Sequence, residues 1–213
     1  MKRGLAGYDA KTLAFYEREA AIYTGRPAHA GGFPWLWRFL EELPRGAAIL
    51  ELGCGGGRDA QEMIRLGYAV TPTDGSPAMA AEAERRLGRP VRVMRFEELG
   101  AEAAFGAAFD AVWANATLLH VRAAKLPSVL AAVRGALKPG GRFFASYKLG
   151  AGEGRDRFGR YYNFPTEAAL LAAYATAGPW ASLDSGDAIG AGYDGVTRNW
   201  MMLTVTRPSA PGS

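Results

Sequence analysis

Cysteine and histidine are scarce in this chain of 213 residues, which has one cysteine, Cys54, and two histidines, His29 and His120. A single cysteine excludes an intrachain disulfide bond and a metal cluster held by cysteines. Two histidines are fewer than the ligands that a protein-built zinc site usually needs. We therefore expect a protein that binds no metal ion.

Long apolar runs are also missing. No stretch approaches the roughly 20 consecutive apolar residues that cross a bilayer. Residues 1–9 lack the apolar core of a signal peptide. The sequence therefore predicts a cytoplasmic protein without a membrane partner.

Charge of either sign is spread along the chain. Lysine and arginine number 25 against 21 acidic residues, which gives a net charge of +4. The basic residues alternate with acids, so we expect no nucleic-acid partner and only a mild preference for anionic ligands. Hydrophobic residues make up 49% of the chain, enough for one domain with a sizeable core.

What is present is a glycine-rich stretch, residues 49–60, in which an apolar run breaks into glycines before an amphipathic segment, residues 59–66. This order predicts a strand, a tight loop and a helix. The glycines let the backbone turn sharply and let a ligand approach, and the N–H groups that begin the helix point at that ligand. A second predicted strand, residues 68–73, ends on Asp74, where nucleotide-binding α/β proteins carry an acid for the ribose hydroxyls.

The spacing of the glycines distinguishes two cofactors. A dinucleotide fingerprint that began at the first glycine would need glycine in place of Arg58, and one that began at Gly55 would end on Ala60, a weaker match. The pattern acidic-x-Gly-x-Gly-x-Gly fits from Glu51 to Gly57. With this pattern the chain resembles the class I S-adenosylmethionine (SAM) dependent methyltransferases.

The resemblance covers about residues 8–150 and is closest to small-molecule, type 11/12-like enzymes such as the quinone-biosynthesis and tellurite-resistance methyltransferases. It implies an α/β fold with one Rossmann-like, doubly wound sheet of seven strands, the last strand antiparallel. We expect a single domain over residues 1–213, with its cofactor-binding core at residues 46–150. The resemblance also implies SAM as methyl donor, S-adenosylhomocysteine (SAH) as product and a small-molecule acceptor, with in-line transfer catalysed mainly by positioning.

Two further segments match that family. Residues 109–121 resemble its fourth strand and the turn beside the reacting sulfur, and residues 137–141 resemble the turn before its fifth strand. Amino-methyltransferases carry Pro-Pro-Tyr or Pro-Pro-Phe after the asparagine or aspartate of that fourth-strand segment. Here Asn115 precedes Ala116 and Thr117, which counts against that chemistry.

The adenine contact departs from the family pattern. Family members carry an aspartate in the loop after the third strand. In this chain the third strand is predicted at residues 91–96. This chain has Phe96 and Glu97 there, so either Glu97 replaces the aspartate or Phe96 and the backbone bind the adenine.

Residues 1–45 are expected to form a helical lid, with helices over residues 9–24 and 33–40. In small methyltransferases such a segment covers the cofactor. The resemblance assigns these residues to the cofactor site: Tyr16, Tyr23, Arg26, Glu51, Gly53, Cys54, Gly55, Asp59, Asp74, Gly75, Ser76, Met79, Phe96, Glu97, Asn115, Ala116 and Leu119.

Residues 148–165 are polar and glycine-rich, and they are too long for an ordinary connection. Because they follow the fifth strand, we expect them over the ligand crevice as a substrate flap. The alternative is a solvated loop that packs its tyrosines locally. Arginines in the flap could engage a carboxylate or phosphate. The residues assigned to the substrate are Tyr147, Arg155, Arg157, Arg160, Tyr161 and Tyr162.

His120 is the candidate general base, because its ordinary pKa suits proton transfer near neutral pH. The alternative is a histidine with a structural hydrogen-bonding role.

The end of the chain, residues 166–207, is predicted to form a helix over residues 166–177 and a hairpin of strands 180–187 and 197–206. Alternation predicts that the second strand buries four apolar residues only in part: Trp200, Met202, Leu203 and Val205.

Two other functions fit parts of this pattern. One is an NAD-dependent oxidoreductase, which Arg58 disfavours. The other is a non-catalytic SAM-binding protein, which no motif separates from an enzyme. The sequence leaves open the methyl acceptor and the choice between a monomer and a homodimer.

Overall fold

The computed structural model describes residues 8–26 and 34–210. In these ranges the α-helices are α1 Ala10–Thr24, α2 Pro34–Glu41, α3 Arg58–Arg65, α4 Pro77–Leu87, α5 Leu126–Ala136 and α6 Glu167–Ala177. The strands are β1 Ala48–Leu52, β2 Ala69–Asp74, β3 Arg92–Val93, β4 Phe109–Ala114, β5 Leu137–Lys148, β6 Gly152–Arg155, β7 Tyr161–Phe164, β8 Ser182–Ala191 and β9 Thr197–Thr206. None of the helices in this part of the chain combines the length and the hydropathy that a bilayer span requires.

Seven of the strands form one sheet in the order β3-β2-β1-β4-β5-β9-β8, and β6 and β7 form a separate hairpin. The strands β1 to β5 are parallel, whereas β9 runs antiparallel to both of its neighbours. The predicted seven-stranded sheet with its last strand reversed is therefore confirmed. The strand order changes direction between β1 and β4, where open α/β sheets bind their ligands, at the carboxyl ends of the strands.

Apolar side chains cover both faces of this sheet. On β5, Phe143 and Tyr147 face α5 and α6, while Phe144 faces α2 and α3, as strand alternation requires. The rings of Trp113 and Phe144 stack with their centroids 4.0 Å apart. Because helices bury both faces, the carboxyl edge is the part of the sheet left for a ligand.

The predicted helices begin close to where the sequence places them. The predicted N-cap Ser76 accepts a hydrogen bond from the Met79 N–H (3.2 Å), and Pro77 follows it as the first residue of α4. Residue 33, the predicted start of the second helix, lies outside the described residues, as does His29.

The third predicted strand, residues 91–96, is shorter than expected. A 3-10 helix, Phe96–Ala101, replaces its end. The Arg95 N–H donates to the Glu98 carboxylate (2.8 Å) and the Glu98 N–H donates to the Arg95 carbonyl (3.0 Å). This local turn competes with extended chain, so only two residues pair with β2.

The predicted flap, residues 148–165, has regular structure. Its strands β6 and β7 pair antiparallel. Between them the Asp156 carboxylate accepts hydrogen bonds from the N–H groups of Phe158 and Arg160, each 3.0 Å. An aspartate that bonds nearby N–H groups in this way stabilises a turn, so the segment is a hairpin rather than an irregular loop.

The second strand of the final hairpin is more deeply buried than the sequence predicts. The first strand of the hairpin begins at Ser182 rather than at residue 180. The apolar residues of β9 are covered on both faces, because one face packs with α5 and α6 and the other with α2 and α3. Trp200 is partly buried, and these residues are buried: Met201, Met202, Leu203 and Val205.

Helix α1 lies across the carboxyl edge of the sheet and is attached at both ends. Near its start, Asp9 pairs with Arg155 of β6 (2.7 Å), and Thr12 Oγ1 accepts a hydrogen bond from the Tyr161 N–H (2.7 Å). Farther along, Glu17 accepts hydrogen bonds from Ser76 Oγ (2.6 Å) and the Ala78 N–H (3.2 Å) at the start of α4. The helix therefore bridges the β6–β7 hairpin and α4.

Replacing Asp9 by alanine is expected to destabilise the fold. Asp9 is the N-cap of α1, and Arg155 lowers the pKa of its carboxyl by hydrogen bonding. Loss of the cap and the pair should cost about 2 kcal/mol and lower the Tm by about 4–8 °C. Asp187→Ala, at an exposed position, is the control.

The effect of Asp9→Ala should depend on pH with a defined sign. Because the carboxyl has a lowered pKa in the folded protein, its contribution is present above its ordinary value of 3.8 and is lost as the pH falls below that value. Thermal unfolding at pH 7 and pH 3 measures this. A difference between wild type and variant that stays constant over this range would contradict the assignment.

Candidate functional site

A cavity of about 380 Å³ lies at the carboxyl ends of β1, β2 and β4, beneath α1. Its size is that of a pocket for one small molecule or cofactor. The residues that line it are Tyr8, Asp9, Thr12, Leu13, Tyr16, Tyr23, Thr24, Glu51, Gly53, Cys54, Gly55, Gly56, Arg58, Asp59, Asp74, Gly75, Ser76, Met79, Arg95, Phe96, Asn115, Ala116, Thr117 and His120.

The loop between β1 and α3 forms the floor of the cavity. Gly53 has a φ of +66°, and a Cβ on it would lie 1.9 Å from Thr117 Oγ1. Only glycine fits there, because it tolerates this conformation and leaves room for the neighbouring segment. Cys54 is a buried, neutral part of the same wall, since burial raises the pKa of its thiol.

Glu51 places a buried carboxylate against this loop. It is 3% exposed, and within the described ranges its Oε2 has no hydrogen-bond partner. Burial, together with the charges of Asp59 and Asp74, raises its pKa well above the usual value. A buried polar oxygen without a partner is costly, so a donor from a cationic ligand would satisfy this position.

Asp59 adds a second acid to the cavity, on the first turn of α3. Its Oδ2 accepts hydrogen bonds from Trp113 Nε1 (2.7 Å) and from Asn115 Nδ2 (3.1 Å). Burial raises its pKa. These bonds connect the start of α3 to the end of β4.

Asp74 adds a third acid at the tip of β2. Its Oδ2 accepts a hydrogen bond from the Gly55 N–H and its Oδ1 accepts one from the Ser76 N–H, each 2.9 Å. Burial raises its pKa to about 6. With Glu51 and Asp59, it makes the cavity acidic, so a cationic ligand is favoured over a diphosphate.

Most residues predicted to hold the cofactor line this cavity, and three do not. Arg26 stacks over Tyr193, 3.7 Å from its ring centroid. Glu97 is exposed, and Leu119 is buried within the protein. Of the two predicted adenine contacts, the structure therefore places Phe96 at the cavity but not Glu97.

Several lining residues were not predicted from the sequence: Tyr8, Asp9, Thr12, Leu13, Thr24, Gly56, Arg58, Arg95 and Thr117. Five of them lie on the first helix or just before it, and the helical spacing of Asp9, Leu13 and Tyr16 could have indicated one face. Arg58 was read only as a break in a glycine pattern. Its guanidinium donates to the Thr24 carbonyl (3.2 Å), so it holds the end of α1.

His120 is part of a hydrogen-bond chain at one end of the cavity. Its Nδ1 lies 2.6 Å from the Tyr161 carbonyl oxygen, which can only accept, so Nδ1 carries the hydrogen. Its Nε2 then accepts a hydrogen bond from the Tyr16 hydroxyl (2.9 Å), which itself accepts one from Arg160 (2.9 Å). Burial lowers the pKa of His120 to about 4, so the ring is neutral at neutral pH.

None of the six residues predicted to bind substrate lines the cavity. Tyr147 lies in the core, with its hydroxyl 3.1 Å from that of Tyr174, because its side chain points to the opposite face of β5 from Ser146. Arg160 is 1% exposed and pairs with Asp156 (2.6 Å).

The other predicted substrate residues also have internal partners. Arg155 pairs with Asp9, and Arg157 lies over its neighbour Phe158. The Tyr161 hydroxyl donates to Glu153. The Tyr162 ring lies 4.5 Å from that of His120. Arg155 and Arg160 therefore donate to carboxylates within the fold, whereas Arg157 is exposed beside the ring of its neighbour.

Part of the chain is similar to known methyltransferases. The profile of a family described as a methyltransferase domain matches residues 50–145. The ubiquinone biosynthesis O-methyltransferase of Xanthomonas axonopodis pv. citri (strain 306) is 38% identical over 108 residues, which cover 48% of this chain and 44% of that protein. The match therefore spans less than half of the relative.

Solved structures share the fold. A SAM-dependent methyltransferase from Methanosarcina mazei has a TM-score of 0.71 at 16% identity, over 81% of this chain and 98% of the other. The 1,6-didemethyltoxoflavin-N1-methyltransferase of Burkholderia thailandensis, solved with 1,6-didemethyltoxoflavin and SAH, has a TM-score of 0.67 at 22% identity, over 92% of this chain and 85% of the other. Residues 50–145 therefore match a methyltransferase domain, and these two solved methyltransferases share the fold of the chain.

Proposed function

We propose that this protein is a SAM-dependent methyltransferase that acts on a small-molecule acceptor. The observation that carries the proposal is the acidic cavity, in which the unpaired Oε2 of Glu51 lies with Asp59 and Asp74 beside the glycine loop. SAM has a positive sulfonium and a positive ammonium group, whereas NAD has a negative diphosphate. The charge of the cavity therefore supports SAM and disfavours the oxidoreductase alternative.

Different residues of the chain would bind different parts of the cofactor. We assign the ribose hydroxyls to Asp74 and the ammonium group to Glu51, while Phe96 and Met79 border the space for the adenine. When bound, SAM supplies an electrophilic methyl carbon on a leaving group that departs neutral. The protein then has to hold the acceptor in line, and such positioning can lower a barrier by roughly 7–11 kcal/mol.

In the protein without ligand, His120 is better suited to positioning a neighbouring side chain than to acting as a general base. Both of its ring nitrogens have partners, and its lowered pKa makes it a weak base at neutral pH. We propose that it orients the Tyr16 hydroxyl at the end of the cavity. An acceptor whose oxygen is already ionised near neutral pH fits this arrangement, and the name of the Xanthomonas relative supports oxygen as the methylated atom of the acceptor.

The test is a calorimetric titration of the purified protein with SAH and, separately, with NAD. We expect a micromolar Kd for SAH and no heat with NAD. Binding of NAD but not SAH would overturn the proposal. An assay of SAH formation from SAM with a panel of phenols and organic acids then separates an enzyme from a non-catalytic SAM-binding protein. The expected cytoplasmic location and the choice between monomer and homodimer stay predictions.

SAH affinity is expected to rise between pH 5 and pH 7. Because burial raises the pKa of Asp74 to about 6, its proton must leave before both oxygens can accept hydrogen bonds from the ribose. By the same linkage, the contribution of Asp74 to folding falls as the pH rises from 3.8 through about 6 in protein without ligand.

Titrations with SAH at four pH values measure this dependence. Asp74→Asn should remove the change in SAH affinity that is centred near pH 6. Only the pH dependence that comes from Glu51 and Asp59 should remain, since their pKa values are also raised. Equal pH profiles in wild type and Asp74→Asn would refute the assignment.

A further inference from the structure

The basic residues around the β6–β7 hairpin differ in whether their side chains donate hydrogen bonds to a carboxylate. Arg155 and Arg160 each donate to a carboxylate. Lys148, the last residue of β5, is 2% exposed, and within residues 8–26 and 34–210 its ammonium donates no hydrogen bond. Its nearest carboxylate oxygen there, Asp194 Oδ1, is 3.7 Å from Nζ. A buried ammonium has three donors, so Lys148 retains the capacity to bind an anion.

Aromatic rings and a tight turn enclose this ammonium. Its Nζ lies 4.5 Å from the ring centroid of Tyr162 and 5.3 Å from that of Trp200. The turn between β8 and β9 passes directly over it, because a Cβ on Gly192 would lie 2.3 Å from Nζ. The same turn carries Asp194, which is 4% exposed. The turn therefore places a carboxylate near the ammonium without a hydrogen bond between them.

Lys148 lies just beyond the end of the cavity where methyl transfer is proposed. It shares a face of β5 with Ser146, two residues earlier, whose Oγ accepts a hydrogen bond from the Ala116 N–H (2.7 Å). Two strand residues span about 6.6 Å. On the other side, the Tyr162 ring connects Lys148 to His120, and both Ala116 and His120 line the cavity.

The two sides of this region differ in their balance of charged side chains. The cofactor side holds three acids, Glu51, Asp59 and Asp74, and two arginines, Arg58 and Arg95. The opposite side holds Lys148 and Arg198 with one carboxylate, Asp194, and the buried Nε of Arg198 has no hydrogen-bond partner among the described residues. A cationic methyl donor and an anionic acceptor would match this division, since complementary charge orients two ligands in one site.

We propose that Lys148 binds the carboxylate of an acidic, planar methyl acceptor, in the place that Asp194 holds in this structure. The inference rests on the proposed methyltransferase function and names its substrate class as small organic acids. The ammonium binds the carboxylate, and the rings of Tyr162 and Trp200 contact the planar body. Asp194 leaves with its turn when the acceptor enters, so no covalent step is involved.

The experiment measures binding of matched acids and amides to SAH-saturated protein by calorimetry. The probes are benzoate, 4-hydroxybenzoate and 3,4-dihydroxybenzoate, each with its neutral amide. In the wild type at least one acid should bind about tenfold more tightly than its amide. Lys148→Met should remove that preference by lowering the affinity for the acid about tenfold. Asp194→Asn should raise the affinity for the acid severalfold, because it removes a carboxylate that competes for Lys148.

Lys125→Met is the matched control, since Lys125 is exposed, and it should leave every affinity unchanged. No preference for acids in the wild type, or an unchanged preference in Lys148→Met, would overturn the proposal. If Lys148→Met fails to fold, the result for Asp194→Asn tests the proposal instead. A weaker or unchanged affinity of Asp194→Asn for the acid would contradict the replacement of Asp194 by the acceptor. Absence of SAH binding in the wild type would instead refute the proposed function itself.

Discussion

Gly53→Ala is expected to abolish SAH binding. The added methyl would lie 1.9 Å from Thr117 Oγ1 and 2.8 Å from Thr117 Cβ. The loop cannot retreat freely, because the next residue, Cys54, donates a backbone hydrogen bond to the Thr73 carbonyl (2.8 Å). Either the glycine loop or the segment at Thr117 must move into the cavity. We expect a loss of at least about 100-fold in affinity, or about 3 kcal/mol, by calorimetric titration.

Gly46→Ala is the matched control for Gly53→Ala. Gly46 has a similar φ of +72°, and its Cβ would meet no heavy atom within 4 Å. Gly46→Ala therefore introduces the same backbone strain of about 1 kcal/mol without a steric clash like that with Thr117. Thermal unfolding of both variants measures the shared strain. Equal SAH affinity in Gly53→Ala and Gly46→Ala would show that the contact with Thr117 does not shape the cavity.

Asp74→Ala is expected to have the second large effect. The substitution removes the proposed acceptor for the ribose hydroxyls and leaves the N–H groups of Gly55 and Ser76 without their partner. Hydrogen bonds to a charged group contribute about 1.5–3 kcal/mol each. We therefore expect SAH affinity to fall by about 100-fold, with the fold retained.

Asp184→Ala serves as the control, because Asp184 is exposed on β8 at the far edge of the sheet. Circular dichroism and thermal unfolding establish that each variant is folded. If Asp74→Ala bound SAH as tightly as Asp184→Ala does, the ribose would have to lie elsewhere, and the orientation proposed for the cofactor would be wrong.

The glycine loop and its neighbouring strand could be predicted because their signals are local. Gly53 directly follows the buried strand β1, Asp74 is the last residue of β2, and Ser76 precedes a proline at the start of a helix. Backbone conformation and parallel pairing then bring the ends of β1 and β2 together. No distant partner has to be known for this part of the fold.

The substrate side could not be predicted in the same way. Tyr147 and Lys148 are neighbours, and strand alternation sends them to opposite faces. The sequence analysis assigned the tyrosine to the substrate, but its ring packs in the core, and Lys148 lies near the cavity end. Likewise, Arg155 pairs with Asp9, 146 positions away, and no local pattern connects them.

The position of α1 has a consequence for turnover. The helix covers the cavity, and its start is bonded to the β6–β7 hairpin through Asp9 and Thr12, while Glu17 bonds the start of α4. We expect that a molecule of nucleoside size leaves only after one of these attachments breaks. We therefore expect the departure of SAH, rather than the transfer itself, to limit the steady-state rate, and a loosened α1 to speed the cycle while weakening affinity.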